Sequence, residues 1–321
     1  MLAPDRPADP SLNKLASART SIPATLTMLT PKILLIRHGA LGDVIWTTPI
    51  VRQLWRDHRG DCVIDVLTLK SEVFLGSPWI NRVLSPETFH DRQKLYDKTI
   101  NLDLAYEKYP SMHLLDAYAK FSHGSIDCIG SREPELHESR RDHETVQEMI
   151  DTDVCGKFIV LHMRRDTWPS RNLNVAKWRA IVDEILATTD LKIVQVGSVN
   201  EICFDYNDRL VNLMGRLSLL QLKVLIARAQ VYVGIDSGTM HVAACTQTPI
   251  VSMFTSAHHT YREPLGRDKT RFFPIAADIE CYGCQSRMPP PVTGVVCARG
   301  DVACIESFAP EKLGRAIRAY L

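Results

Sequence analysis

The sequence predicts an α/β protein: two Rossmann-like units, each built on parallel βαβ crossovers, facing across a cleft. Three observations carry this reading. Residues 32–69 and 158–197 follow one plan of strand, loop, helix and strand. The residues that carry chemistry fall in loops after strands, where ligands of such sheets bind. The 321 residues, 45% hydrophobic and 23% charged with a formal net charge of +1, leave room for two domains with cores of their own. So even a balance argues against nucleic acid, whose backbone needs a clustered positive excess. It leaves room for one local anion site.

Residues 1–30 are rich in Pro, Ser, Thr and Ala without sustained periodicity and are expected to be a disordered tail. Asp5, Arg6 and Asp9 interrupt the apolar core that a signal peptide would need. No apolar stretch approaches the roughly 18 residues of a spanning helix. The expected location is cytoplasmic, with at most peripheral membrane contact. In that compartment nine cysteines mean thiols or metal ligands before disulfides.

The ordered chain opens with "KILLIRHGALGDVIWTTPIVRQLWRDH". Residues 32–37 suit a buried strand, 39–42 a glycine-bearing loop. Asp43 stands at the start of a helix with Val44, Ile45, Ile50, Val51 and Leu54 on one side. "CVIDVLTL" is the next strand. "HLLDAYAKFSHG", residues 113–124, is a helix near the cleft, with His113 and His123 read as capping and packing residues. Residues 132–157 are highly charged and read as a linker, which sets a first domain at 31–150 and a second at 151–308. Asp151-Thr-Asp153 matches a D-x-D metal triplet only weakly, because it precedes a strand instead of following one. In the second unit "FIVLH" is a strand, "MRRDTWPSRNLN" a loop, "VAKWRAIVDEILATT" an amphipathic helix and "KIVQVG" a strand. Residues 309–321 form a terminal helix begun by Pro310, with a stripe of Leu313, Ile317 and Leu321.

The stretch "VYVGIDSGTMHVAAC", residues 231–245, carries the most chemistry. A strand runs into Asp236, Ser237 and Gly238, and a helix begins at once. Unpaired N–H groups and the helix dipole make such a corner an anion site. Gly238 permits close approach, and Ser237 or Thr239 can add a hydroxyl. A plain N-cap turn, with Asp236 or Ser237 as cap, fits the same residues.

Taken with its neighbours, "VYVGIDSGTMHVAACTQTPIVSMF" resembles the segment GxDSGxxHxAAxxxxPxxxxF of the glycosyltransferase family that includes the lipopolysaccharide heptosyltransferases. "ILLIRHGALGDVIWTTPIVRQL", "IVLHMRRDTWPSRNLNVAKWRAIVDEI" and "LVNLMGRLSLLQLKVLIARAQ" resemble other stretches of that family, in order, across residues 31–321. The resemblance implies a GT-B fold, with the acceptor held by the first domain and a nucleotide-sugar donor, ADP-heptose, by the second. It implies inverting transfer with Asp43 as base, although Asp43 also fits a helix N-terminal residue that satisfies free amides. The corner Asp236, Ser237, Gly238, Thr239, Met240 and His241 would receive the diphosphate. Arg171 stands where the family usually has lysine, and Arg164 and Arg165 add charge to the same loop; a solvated basic loop is the alternative. Glu201 resembles the ribose-contacting glutamate, with a surface glutamate as the alternative, and Gly215 and Leu217 fall where the base packs. No catalytic metal is expected.

Cys281, Cys284, Cys297 and Cys304 are spaced C-x2-C-x12-C-x6-C, with Pro289, Pro290 and Pro291 between. Four thiolates can surround one tetrahedral iron or zinc ion, which with no open position would be structural. Free or disulfide-bonded thiols are the alternative. A similar late cluster occurs in iron-bearing heptosyltransferases that modify autotransporter proteins. The other five cysteines read as core residues.

The acceptor is left open between a lipopolysaccharide core sugar, another glycan and a protein hydroxyl, as is oligomeric state. Two other functions fit: a nucleotide-sugar epimerase or hydrolase of the same fold, or a non-catalytic binding protein. A dehydrogenase is disfavoured, because "GALG" lacks the G-x-G-x-x-G spacing.

Overall fold

The structure, a computed structural model, describes residues 30–87, 89, 92–109, 111–164, 169–287 and 297–321. Within residues 31–321 the apolar runs form two wholly parallel sheets. The first contains β1 (Lys32–Ile36), β2 (Val63–Leu67), β3 (Arg82–Leu84) and β4 (Lys98–Asn101), in the order β3-β2-β1-β4. The second contains β5 (Phe158–His162), β6 (Lys192–Val196), β7 (Leu210–Asn212), β8 (Val231–Ile235), β9 (Ile250–Phe254) and β10 (Phe272–Ala276). Its order is β10-β9-β8-β5-β6-β7. Every residue of β5, β8 and β9 is buried, as expected of parallel strands covered on both faces. Each sheet reverses its winding once, between β1 and β4 and between β5 and β8. Crevices at the carboxyl ends of such strands are where ligands of open α/β sheets bind.

The helices are α1 (Leu41–Ile45), α2 (Thr48–Asp57), α3 (Leu114–His123), α4 (Arg140–Met149), α5 (Val175–Thr188), α6 (Leu219–Arg228), α7 (Gly238–Ala244) and α8 (Pro310–Arg318). The single helix expected from Asp43 is in fact two. Pro49 lacks an N–H and sits in the first turn of α2, which Thr47 starts after a break at Trp46. The charged segment expected as a linker contains α4, whose Ser139 and Asp142 form a capping box. Asp151 accepts from the Gln147 amide and Asp153 pairs with Arg216 at 2.7 Å, so both acids of the triplet serve as local partners. In α8, Leu313 and Ile317 are buried; Leu321 lies past the helix end and is exposed. Cys155 is exposed and not a core residue, while Cys62, Cys128, Cys203 and Cys245 are half-buried.

One core cluster joins the two sheets: it includes Ile33, Trp46 and Tyr118 together with Val160, Tyr232 and Met240. Glycine makes the closest approach possible. A Cβ on Gly42 of α1 would lie 2.2 Å from the His241 ring of α7, and one on Gly238 would lie 3.0 Å from Leu41. The N-terminal turns of α1 and α7 therefore meet, and each starts at its own sheet's switch point.

Candidate active site

Arg37 follows β1 and is 5% exposed, between the rings of Tyr106 and Tyr118 at 5.5 and 5.9 Å. A buried guanidinium needs anions. It pairs with Asp43 and, at 3.4 Å, with Asp103, which follows β4. Burial alone would lower its pKa; the fields of Tyr118, Asp43 and Tyr106 outweigh that and keep Arg37 charged. His38 Nδ1 lies 2.5 Å from the other Asp103 oxygen. Asp43 is the third residue of α1, and its Oδ2 also accepts from the Ala40 N–H at 3.3 Å. It thus satisfies the helix start and presents an ion-paired carboxylate at the first switch point.

Asp236 and Ser237 follow β8. Asp236 is buried, with Oδ2 3.5 Å from Arg171 Nη2 and its carbonyl 3.4 Å from Arg164 Nη1. Burial would raise its carboxyl; Arg171, Arg262, His241 and Arg164 outweigh this and hold it below the usual carboxylate range. Ser237 stands at the N-cap of α7 in extended backbone, yet its side chain does not cap. It faces His162 Nδ1 at 3.3 Å instead. Among the described residues the first-turn amides of α7 are therefore left for another partner. His241 Nδ1 accepts from the Trp46 indole at 3.0 Å, so its Nε2 carries the proton and faces Asp236 at 3.9 Å. Burial holds His241 down to about 4, despite the nearby Asp236 carboxylate, so it is a neutral donor.

A cleft of about 460 Å³ opens beside this corner, lined among others by Leu41, His162, Arg164, Glu201, Leu217 and Thr239. Glu201 Oε2 accepts from the Ser198 N–H at 2.8 Å and lies 3.4 Å from His162. Gly215 sits at φ +70° in the turn before the cleft, with its N–H on the Gly197 carbonyl at 2.8 Å. Met240 has a fully buried side chain and can offer a ligand only its backbone. Arg165 lies outside the described residues. The structure thus gathers Arg171, Asp236, Ser237, Gly238, Thr239 and His241 at one corner, with Glu201 and Leu217 along the cleft. It also brings in Arg37, Trp46, Asp103, His162 and Arg262, which the sequence reading missed. Arg37 and His162 carried a signal, as polar residues closing apolar strands.

Cys281, Cys284, Cys297 and Cys304 line one small cavity of about 20 Å³ with Ser170, Ser256 and Gln285. Burial and the neighbouring thiols push Cys304 up to about 11. Backbone N–H groups near Val302, Arg299 and Gly300 outweigh burial and lower Cys297. Among the described residues, however, no group of three or more His, Cys, Asp or Glu is drawn together closely enough to hold a metal ion. The loop is tied to the corner: Gln285 N–H donates to the Ser256 carbonyl at 2.8 Å, and its Oε1 accepts from Arg171 at 3.1 Å. Among the described residues no helix is long and apolar enough to cross a membrane.

Residues 99–290 match the family model described as glycosyltransferase family 9 (heptosyltransferase). Lipopolysaccharide heptosyltransferase 3 of Escherichia coli is 29% identical over 106 residues, 30% of this chain and 31% of that relative, so the match spans under a third of its length. ADP-heptose lipopolysaccharide heptosyltransferase II of E. coli superposes with a TM-score of 0.67 at 15% identity, covering 90% of this chain and 98% of that one. The iron-containing dodecameric glycosyltransferase TibC of enterotoxigenic E. coli does so with 0.68 at 13% identity, covering 91% and 76%. The chain shares their fold, the GT-B arrangement that the sequence predicts.

Proposed function

The chain belongs to glycosyltransferase family 9, the heptosyltransferases, and from that footing we propose that it transfers a heptose from ADP-heptose, with inversion, to an acceptor hydroxyl. The observation that carries this reading is the meeting of two switch points: α1, which carries Asp43, touches His241 of the Asp236 corner through Gly42. The donor reading is supported by the relatives' own names, ADP-heptose among them.

In the proposed reaction the Asp43 carboxylate takes the acceptor hydroxyl proton while that oxygen bonds the anomeric carbon. The bond from that carbon to the diphosphate breaks, and ADP leaves with the electron pair. Arg37 holds the Asp43 carboxylate in place through their ion pair. Positive charge must meet the departing diphosphate. The Arg171 guanidinium supplies it, and the first-turn amides of α7 and the neutral Nε2–H of His241 add hydrogen-bond dipoles. Glu201, beside His162, suits the ribose hydroxyls, and Leu217 the base.

The four cysteines suit a structural ion. Soft thiolates fit iron or zinc, and the cavity they line has room for an ion and little else. Burial first and the neighbouring thiols second disfavour a thiolate at Cys304, and a bound dication would offset both. When bound, the ion would hold the loop that carries Gln285 against Arg171.

The test is incubation with ADP-heptose and, separately, a lipopolysaccharide core sugar, another glycan and a protein acceptor. Release of ADP matched by one heptose added to an acceptor is the expected result. ADP-heptose cleaved with no acceptor modified would make the protein a hydrolase, and no turnover of ADP-heptose would discard the donor.

A further inference from the structure

Arg262 lies in the segment after β9, at the same sheet edge as Asp236. Its position is built by three contacts. Its N–H donates to the His259 carbonyl at 2.9 Å. The carbonyl of Glu263, next in the chain, accepts from His113 Nε2 at 2.9 Å, while His113 Nδ1 caps α3 through the Leu115 N–H. The guanidinium itself lies 4.9 Å from the Tyr106 ring, which Arg37 also approaches. The segment is therefore pinned to the half of the molecule that carries Asp43.

The carboxylates whose fields bear most on Arg262 are Asp236 and Asp43, yet neither forms an ion pair with it within 4.0 Å among the described residues. There the guanidinium makes one hydrogen bond, 3.4 Å long, to the Tyr261 carbonyl. A guanidinium has five N–H donors in a fixed fork. Among the described residues most of this fork is unspent, beside Tyr106 and within the fields of the acid proposed as base and of the corner proposed for the donor. An anion that stands there during transfer is the phosphate joined to the departing sugar, and a fork of N–H groups matches its oxygens bidentately.

We propose that Arg262 binds the sugar-bearing phosphate of the nucleoside diphosphate donor, opposite Arg171, and stabilises it as it leaves. This rests on the transferase reading above and adds a residue to it. The experiment compares ADP and AMP binding to the wild-type protein, Arg262→Lys and Arg262→Gln, with thermal unfolding as a check on folding. Arg262→Gln is expected to weaken ADP by about ten- to a hundredfold, the loss of hydrogen bonds to a charged group. AMP, which lacks the second phosphate, should bind all three alike, and Arg262→Lys should recover part of the ADP affinity. Equal binding of ADP by wild type and Arg262→Gln would overturn the assignment while leaving the donor reading intact. So would equal losses of ADP and AMP, or a loss confined to acceptor KM. A wild-type protein that binds neither nucleotide would remove the donor reading and this inference together.

Discussion

Replacing Gly42 with alanine drives a methyl group into a ring that cannot step aside. The new Cβ would stand 2.2 Å from His241 Cδ2 and 2.9 Å from Nε2. His241 is held by the Trp46 indole at 3.0 Å, and both side chains are buried. Overpacking of this kind costs about 1–3 kcal/mol. Displacing the ring also breaks the indole hydrogen bond, worth about 1 kcal/mol net. The expected loss is therefore about 2–4 kcal/mol of unfolding free energy. Because the clash is with one side chain, His241→Ala should make room for it. In that background, already weakened by an unpaired indole N–H, Gly42→Ala should cost under about 1 kcal/mol. Urea unfolding of the four proteins gives the double-mutant cycle. Equal losses in both backgrounds, additive within about 0.5 kcal/mol, would refute the close contact of α1 with α7.

Three other outcomes follow from the same geometry. His113 and His241 are held by burial down to about 3 and about 4, below the 6.5 of a free imidazole. The unfolded chain then binds more protons over that interval, so their contribution is complete above about pH 6.5 and is lost as pH falls through about 4 for His241 and about 3 for His113. Unfolding midpoints measured across that range should fall with acid, and His113→Asn, which keeps an N-cap side chain, should flatten the slope; an unchanged slope would count against it. Replacing Cys281 and Cys284 with serine should remove one metal equivalent by elemental analysis, and unchanged metal content would exclude the cysteine site. Arg171→Ala should weaken ADP by about tenfold, since a charged hydrogen-bond donor to phosphate is lost; unaltered affinity by calorimetry would remove it from the donor pocket.

The two sheets were legible because parallel strands buried on both faces read as unbroken apolar runs, as in "FIVLH" and "VYVGI". The Asp236 corner was legible because strand, acid, hydroxyl, glycine and helix are consecutive. The helix break at Trp46 was hidden by apolar residues that keep period across it, although Pro49 marked it. Only Val146 of α4 is buried, so that helix has no apolar stripe; its capping box was the one local signal. The pairing of Arg37 with Asp103 joins residues 66 apart, and Arg262 approaches Tyr106 from the other sheet. Such contacts depend on how the sheets meet, which no local pattern encodes. Cysteine spacing pointed to a shared ion site; the four thiols line one cavity, but among the described residues no three lie close enough to hold an ion, a distance that spacing does not encode.

The most direct test of the account is Asp43→Asn, assayed for ADP-heptose binding by calorimetry and for heptose transfer in single turnover. Asparagine keeps the size of the side chain and an oxygen to accept from Ala40, but it cannot take a proton. Donor affinity should stay close to wild type, and transfer should slow by about a hundred- to ten-thousandfold. Transfer at the wild-type rate would contradict it, because Asp43 would then be no more than the first-turn acid of α1.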